Sequence, residues 1–317
     1  MKAKLINFLK ISLPVAIGLY LTWYFVSNST ESEKEYFLKS LSEANYGWIF
    51  VALIIAFLSH LSRSYRWKYL LETMDVQPKL SLMYHSVMIG YIINLTIPRS
   101  GELARAGYFS RYQKTSSDKV FGTIVVERVV DLIMFALIFL TAFILQSDQD
   151  AFQELRQMGS RESNSFFLPI FLVLVVLSVF LLFIFKKLRL KVWNFLKGIY
   201  QGCITIFKLK NKAAYILHTL FIWVCYIAML WITALALPDL ENISVNAVFA
   251  CFIAGTIAIG ATPGGIGLYP IMVATVLTDL YGFEGQIAKS FGMLMWSSQT
   301  FFMILLGIVS LIAIKKT

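Results

Sequence analysis

The sequence of 317 residues is poor in charged residues and in cysteine. Only 15% of its residues are charged and 58% are hydrophobic, whereas soluble domains have about 25% charged residues. Its three cysteines (Cys203, Cys225 and Cys251) lie in or beside apolar segments, without the spacing of a zinc site or a disulfide framework. The composition therefore excludes a soluble globular protein and predicts an all-α polytopic membrane protein, with a single membrane domain over residues 1–317.

The chain also lacks the motifs of the common catalytic and nucleotide-hydrolysing classes. It contains no G-x-x-x-x-G-K-[ST] loop and no G-x-S-x-G turn. Its three histidines, His60, His85 and His218, show neither an H-E-x-x-H motif nor another metal-ligand spacing. We therefore expect no enzymatic activity, no catalytic residue, no metal and no cofactor.

Basic residues outnumber acidic ones, giving a formal net charge of +10. They are concentrated in the segments between apolar runs, as in membrane proteins whose loops face anionic lipid. This placement accounts for the charge without nucleic acid, and we expect no nucleic-acid partner.

A helix that crosses a bilayer needs about 20 mostly apolar residues. Six stretches meet this requirement and are predicted spans: 5–26, 46–62, 119–146, 165–185, 213–237 and 287–313. The first follows Lys2 and Lys4 and contains Lys10, like a signal peptide, but its long apolar part and the absence of an A-x-A site predict an uncleaved helix. Two further apolar regions, 82–117 and 245–281, are broken midway by Pro98 and by Pro263-Gly264-Gly265.

The loop charges predict how these segments are oriented. If the N-terminus is cytoplasmic and both broken regions are re-entrant, the cytoplasmic segments hold 22 Lys and Arg, and the opposite side holds 5. In this arrangement 63–81 is cytoplasmic and 28–45 lies outside, which satisfies the positive-inside rule. We therefore expect both termini to be cytoplasmic. The most basic segment, 186–212, is either an amphipathic helix on the inner leaflet or an ordinary positive-inside loop.

The same topology predicts an inverted repeat. Residues 46–146 and 213–313 each consist of a span, a broken hairpin and a second span, running in opposite directions. Gly90 precedes Pro98 by eight residues, as Gly255 precedes Pro263. Inverted repeats with paired broken helices are typical of transporters whose substrate site lies between the breaks.

Three charged residues, Glu127, Arg128 and Asp131, fall inside the span 119–146. A charge that faces lipid costs at least about 3 kcal/mol, so these side chains should face the protein interior or a wet cavity. They are either an internal ion-pair network that holds helices together or the lining of a polar path.

The first break combines a helix stop with regularly spaced charges. Pro98 ends the first half-helix and Gly101 allows a turn. Arg99, Glu102 and Arg105 recur every third residue, so a following helix would place them along one side. Arginine suits phosphate, and the start of a helix attracts anions. The segment is therefore interpreted as an anion site, with a cytoplasmic loop that follows the charge rule as the alternative.

The second break is rich in glycine and proline. Five residues define it as a backbone turn: Thr262, Pro263, Gly264, Gly265 and Gly267. Such a sequence cannot form continuous helix, and unwound backbone in a membrane is tolerated only inside protein or along a wet cavity. It could be a hinge, a ligand-binding loop of backbone dipoles or a tight turn.

At residues 98–105, 127–131 and 262–267 the sequence resembles the lysylphosphatidylglycerol synthase transmembrane region, also called the flippase-like domain. The resemblance covers about residues 10–313 and presents three motifs in the family's order. In multidomain members this region is associated with moving aminoacylated phosphatidylglycerol between leaflets, while a separate soluble domain transfers the amino acid from tRNA. The chain ends shortly after its last predicted span, so we expect a stand-alone member without that soluble domain.

The resemblance and the motifs together predict a lipid flippase or scramblase-like transporter of a bacterial inner membrane, whose partners are membrane lipids. Six side chains are expected to form the path of the phosphate and headgroup: Arg99, Glu102, Arg105, Glu127, Arg128 and Asp131. Arg99 and Arg105 would hold the phosphate. Three acids, Glu102, Glu127 and Asp131, would balance these arginines or bind a cationic headgroup moiety, with Arg128 as their internal partner. The turn at 262–267 would shape the opposite end of the path.

Two alternatives belong to other functional classes. The chain could be a non-catalytic membrane subunit that binds a phospholipid or polyprenyl-linked substrate for a partner enzyme of cell-envelope synthesis. It could also be an integral-membrane transferase, although no paired catalytic carboxylates are placed at an aqueous face.

Overall fold

A computed structural model of the chain describes residues 29–97, 100–147 and 206–314, together with a few isolated positions outside these ranges. Within them the chain forms α-helices and short 3-10 turns, with no β-strand. In chain order the helices are α1 (Glu31–Glu43), α2 (Tyr46–Leu71), α3 (Leu80–Thr96), α4 (Gly101–Gln113), α5 (Ser117–Ser147), α6 (Lys212–Ala234), α7 (Val245–Ala261), α8 (Leu268–Tyr281) and α9 (Gly285–Ala313). The protein is therefore all-α, as predicted.

Four helices are long and apolar enough to cross a membrane. They are α2 with its 3-10 extension, α5, α6 and α9, with candidate spans at Tyr46–Met74, Ser117–Leu145, Lys212–Ala234 and Gly285–Ala313. They confirm a membrane protein with several spanning helices. The predicted spans 5–26 and 165–185 lie outside the described residues, so the count of six stays a prediction. The basic segment 186–212 also lies almost entirely outside them.

The two broken regions form two pairs of short helices, of which α3, α7 and α8 are apolar and α4 is not. The longest of the four helices, α3 and α7, have 17 residues each, or about 25 Å at 1.5 Å per residue, which is less than the hydrocarbon core. α3 ends at Thr96 ahead of Pro98, and α7 ends at Ala261 ahead of Pro263. Within each region the two helices pack against each other as a hairpin. The breaks thus lie where proline and glycine predict them, whereas entry and exit on one side stays a prediction.

The predicted span 46–62 is too short, because its helix continues into the segment 63–81. α2 continues to Leu71, and Arg63, Arg66 and Trp67 on its last turns are buried, with exposed fractions of 4%, 0% and 0%. These residues share one face with Leu70 and Leu71, because they follow the helical spacing i, i+3, i+4, i+7 and i+8. This face packs inside the protein. Its two arginines were counted among the loop charges, although they lie on a buried face of the helix.

The segment 28–45, which is predicted to lie outside, contains helix α1, for which the sequence analysis predicted no helix. Thr30 caps the helix: its hydroxyl accepts from the Glu33 amide at 3.2 Å, and the Glu33 carboxylate accepts from the Thr30 amide at 2.9 Å. Glu33 also binds Lys289 of α9 at 2.8 Å, and Tyr36 donates to Asp239 of the turn Pro238–Leu240. α1 is thereby tied to two elements of the second half of the chain.

These contacts change the titration of both α1 side chains. Burial alone raises the pKa of Glu33, but the hydrogen bonds from Lys289 and Thr30 outweigh it and hold that pKa below its ordinary value of 4.5. Burial and the acceptor Asp239 together raise the pKa of Tyr36 to about 12. At neutral pH Glu33 is therefore charged and Tyr36 is a neutral donor.

The chain divides into two compact units, one of residues 1–124 with 210–317 and the other of residues 125–209. In the first unit α2 and α6 pack side by side. The Asn45 amide, just before α2, donates to the Ala236 carbonyl, just after α6, at 2.9 Å. Further along, Ser62 Oγ lies 2.8 Å from His218 Nδ1. The two helices are therefore antiparallel.

Candidate functional site

The second break is a tight 3-10 turn between α7 and α8. Thr262 and Pro263 begin it and are buried. Gly264, Gly265 and Gly267 follow with φ angles of +59°, +75° and +71°. Residues with a side chain rarely adopt φ angles in this left-handed region, so the backbone requires glycine at these three positions. Of the three interpretations of this segment, the structure has the form of the tight turn.

The two helix breaks meet. A Cβ atom on Gly264 would lie 2.2 Å from Leu95 Cδ2 near the end of α3, so the leucine packs directly on the glycine backbone. On its other side the Gly264 carbonyl accepts a hydrogen bond from Trp296 Nε1 of α9 at 2.9 Å. The hairpin tips, separated by more than 150 residues in sequence, are thus brought into van der Waals contact.

The first break depends on a close helix crossing. A Cβ on Gly101, the first residue of α4, would lie 2.2 Å from the Gly90 carbonyl oxygen in α3. Asn94 accepts a hydrogen bond from the Gly101 amide at 3.0 Å, so this first amide of the predicted anion site is already bonded within the protein. Pro98 and Arg99 lie outside the described residues.

Arg105, the last charged residue of this motif, is buried at the start of an aromatic stack. Its guanidinium carbon lies 3.7 Å from the centre of the Trp67 ring. Trp67 Nε1 donates to Thr123 Oγ1 at 2.9 Å, and the Trp67 ring lies 4.8 Å from that of Phe109. A cation against a desolvated tryptophan face is stabilised by about 2 kcal/mol. Trp67 therefore holds Arg105 in place while its own orientation is fixed by Thr123.

Arg66 is held in a similar way from α6. Its guanidinium carbon lies 5.6 Å from the Tyr215 ring centre, and Nη1 donates to Thr219 Oγ1 at 3.3 Å. Arg63 lies one turn before Trp67 on the same face of α2.

The predicted site residues of the first break therefore differ in how deeply they are buried. Arg105 is 4% exposed, whereas Glu102, one turn earlier on α4, is only half-buried. Sequence reasoning missed Arg63 and Arg66 because both were assigned to a loop. The spacing of Arg63, Arg66 and Leu70 on one helical face could have revealed them.

The charges of α5 are described separately, because they belong to the second compact unit. Glu127 is fully buried. Arg128 and Asp131 lie 3.7 Å apart one turn from each other, and their side chains are 43% and 12% exposed. This contact is an ion pair within one helix and does not itself join two helices. Within the described residues no three His, Cys, Asp or Glu side chains form a metal-binding group.

Comparison with known proteins gives the family. Residues 11–307 match the family model of the lysylphosphatidylglycerol synthase TM region. A stretch of 111 residues is 30% identical to the UPF0104 membrane protein MJ1595 of Methanocaldococcus jannaschii, covering 34% of this chain and 32% of the archaeal protein. The match thus spans about a third of that relative's length. No solved structure matches the chain. The protein belongs to the lysylphosphatidylglycerol synthase transmembrane region family, and this membership implies a membrane protein involved in lipid handling.

Proposed function

We propose that the protein is a lipid flippase or scramblase-like transporter that moves a phospholipid with an anionic or aminoacylated headgroup between the leaflets of the inner membrane. The contact of Leu95 with Gly264 carries this proposal, because it brings two helix breaks together in a protein of a lipid-handling family. Broken helices are tolerated in membranes where they are buried in protein or line a polar path.

In this proposal the headgroup crosses along polar side chains while the acyl tails stay in the bilayer, and the protein performs no chemistry on the lipid. Arg99 and Arg105 hold the phosphate. Glu102, Glu127 and Asp131 balance the arginines or bind a cationic headgroup moiety, with Arg128 as the partner of Asp131. The burial of Arg105 against Trp67 supports this role, because it fixes the guanidinium in one orientation.

The test is leaflet exchange of headgroup-labelled lipid in proteoliposomes, followed with a membrane-impermeant quencher. The wild-type protein should exchange phosphatidylglycerol or its lysyl ester faster than protein-free vesicles. Arg105→Gln should slow exchange by about tenfold or more, because hydrogen bonds to charged groups contribute about 1.5–3 kcal/mol. Arg99→Ala and Asp131→Asn should also slow exchange.

Arg111→Gln is the matched control, since Arg111 lies on the same helix but is exposed. It should leave exchange unchanged, and size exclusion with thermal unfolding should show that every variant is folded. Failure of folded wild-type protein to exchange any of these lipids would contradict transport. It would favour the alternative of a non-catalytic lipid-binding subunit, for which a stoichiometric co-purifying protein would be sought.

A further inference from the structure

The contact between the two helix breaks lies far from both ends of a long helix. Trp296, whose Nε1 binds the Gly264 carbonyl at 2.9 Å, belongs to α9, the candidate span Gly285–Ala313. At 1.5 Å per residue it lies about 16 Å from the start of α9 and about 26 Å from its end. Because α9 is long enough to cross a membrane, the contact falls within the depth of the hydrocarbon core, which is about 30 Å thick.

The side chains that cover the second break here are hydrocarbon. Leu95 Cδ2 would lie 2.2 Å from a Cβ atom on Gly264, and Ile259 Cγ1 would lie 3.2 Å from a Cβ atom on Gly265. A charged headgroup finds no hydrogen bond in such a contact, and apolar constrictions close polar pathways in membrane proteins. A headgroup that passes between the breaks must therefore displace Leu95.

The Leu95 contact differs from the other close contacts of α9 in what it takes to open it. A Cβ atom on Gly292 would lie 2.8 Å from the Pro270 carbonyl oxygen of α8, and one on Gly307 would lie 2.7 Å from Ile92 Cβ of α3. A carbonyl oxygen and a β-carbon move only with the backbone. Leu95 meets Gly264 with the end of its side chain, which moves by a change of rotamer. α9 therefore holds both hairpins by their backbones, and Leu95 is the part that can move.

We infer that Leu95 is the gate of the lipid path. Its side chain closes the path by packing on Gly264, and Trp296 fixes the Gly264 peptide from the other side through its hydrogen bond. When Leu95 turns away, the headgroup passes between the hairpin tips, and no covalent bond is made or broken. This inference deepens the proposed function and rests on it, because the gate controls the headgroup path proposed above.

The test is leaflet exchange of headgroup-labelled phosphatidylglycerol in proteoliposomes of phosphatidylcholine and phosphatidylglycerol, followed with a membrane-impermeant quencher. Leu95→Ala should raise the exchange rate severalfold above that of the wild type, because it removes the methyl groups that stabilise the closed state. Leu103→Ala is the matched control. It makes the same change in the first hairpin at a side chain that is 61% exposed, and it should leave the rate unchanged.

A cross-link tests the gate from the opposite direction, in a background whose three native cysteines are replaced by serine. Oxidation of the double variant Leu95→Cys with Gly264→Cys should join the tips and stop exchange, and a reductant should restore it. Ile92→Cys with Gly307→Cys is the control pair, because its disulfide joins α3 to α9 at a crossing that does not open. Oxidation of this pair should leave exchange unchanged, with mass spectrometry showing that both disulfides form. If Gly264→Cys does not fold because of its positive φ, the two leucine variants decide the question.

The outcomes separate the gate from the transporter. If the wild type exchanges lipid and folded Leu95→Ala is no faster than Leu103→Ala, the gate is overturned and the transporter is retained. Undiminished exchange by the oxidised pair at 95 and 264 would have the same meaning. Absence of exchange in both the wild type and Leu95→Ala would reject the transporter and the gate together. Exchange by Leu95→Ala alone would support both, with the wild type held closed.

Discussion

At the scale of single residues, two buried side chains, Trp67 and Arg66, are each held by specific neighbours. Trp67 is fully buried, and its one polar atom donates to Thr123. Arg66 has a ring on one side and a hydroxyl at one nitrogen. Such contacts are needed because an unsatisfied buried polar group costs about 1–3 kcal/mol. Sequence spacing could place these residues on one helix face, but not identify partners that lie more than 50 residues away.

The ion pair of Glu33 and Lys289 gives a prediction for acid stability. Because the pKa of Glu33 is lowered in the folded protein, its contribution to stability is present above pH 4.5 and is lost as the pH falls through the folded value. The melting temperature of Glu33→Gln should therefore lie below that of the wild type at pH 7. The two should converge in acid, as followed by thermal unfolding in detergent between about pH 7 and 3.

Glu35→Gln is the control for this experiment, because Glu35 is exposed on the same helix. Its melting temperature should follow the wild-type curve at every pH. If Glu33→Gln also follows that curve, the ion pair with Lys289 contributes nothing to the stability of the fold.

At the scale of helices, the sequence predicted the breaks better than the ends of long helices. Pro98 and Pro263 stop helices by backbone chemistry that needs no tertiary partner, and α3 and α7 end just before them. The end of α2 was missed because its arginines are buried by other helices, which the local sequence does not show. The start of α1 was predictable in principle, since Thr30 and Glu33 form a capping box.

The contact between the hairpin tips predicts an energetic coupling between Leu95 and Gly264. Gly264→Ala should destabilise the protein by about 1–2 kcal/mol through its positive φ and by about 1–3 kcal/mol more through the clash with Leu95. In the double variant Leu95→Ala with Gly264→Ala the clash is absent. The loss should therefore be smaller than the sum of the two single losses, as measured by denaturant unfolding in detergent.

Gly282→Ala separates the cost of a positive φ from the cost of the clash with Leu95. Gly282 also has a positive φ, of +69°, but a Cβ there would meet nothing within 4 Å. This variant should show the backbone cost alone and no coupling to Leu95→Ala. Strict additivity of Leu95→Ala and Gly264→Ala would mean that the tips are not in contact.

At the scale of the whole molecule, two independent observations agree with the predicted inverted repeat. The order of long helix, broken pair and long helix occurs twice, at α2 to α5 and at α6 to α9. The first helices of the two sets, α2 and α6, are antiparallel, as inversion requires. The repeat and the orientation in the membrane stay predictions. The loop charges indicate orientation through their interaction with the membrane, and not through contacts within the fold.

Orientation is testable by cysteine labelling in a background whose three native cysteines are replaced by serine. Lys39→Cys on α1 should react with a membrane-impermeant maleimide in intact spheroplasts. Ser116→Cys, between α4 and α5, should react only after lysis. Both positions are exposed, so access to the protein surface does not limit either reaction. Labelling of both from the same side would contradict the predicted topology.

The antiparallel pair of α2 and α6 also constrains how the protein is made. About 140 residues separate Leu71 at the end of α2 from Lys212 at the start of α6. At about 5–20 residues per second, a ribosome needs roughly 7–30 s to deliver the second helix after the first. During this interval Arg66 has neither Tyr215 nor Thr219 beside it. The nascent α2 must therefore be shielded by the insertion machinery, or keep its arginines at the membrane surface, until the second half of the chain emerges.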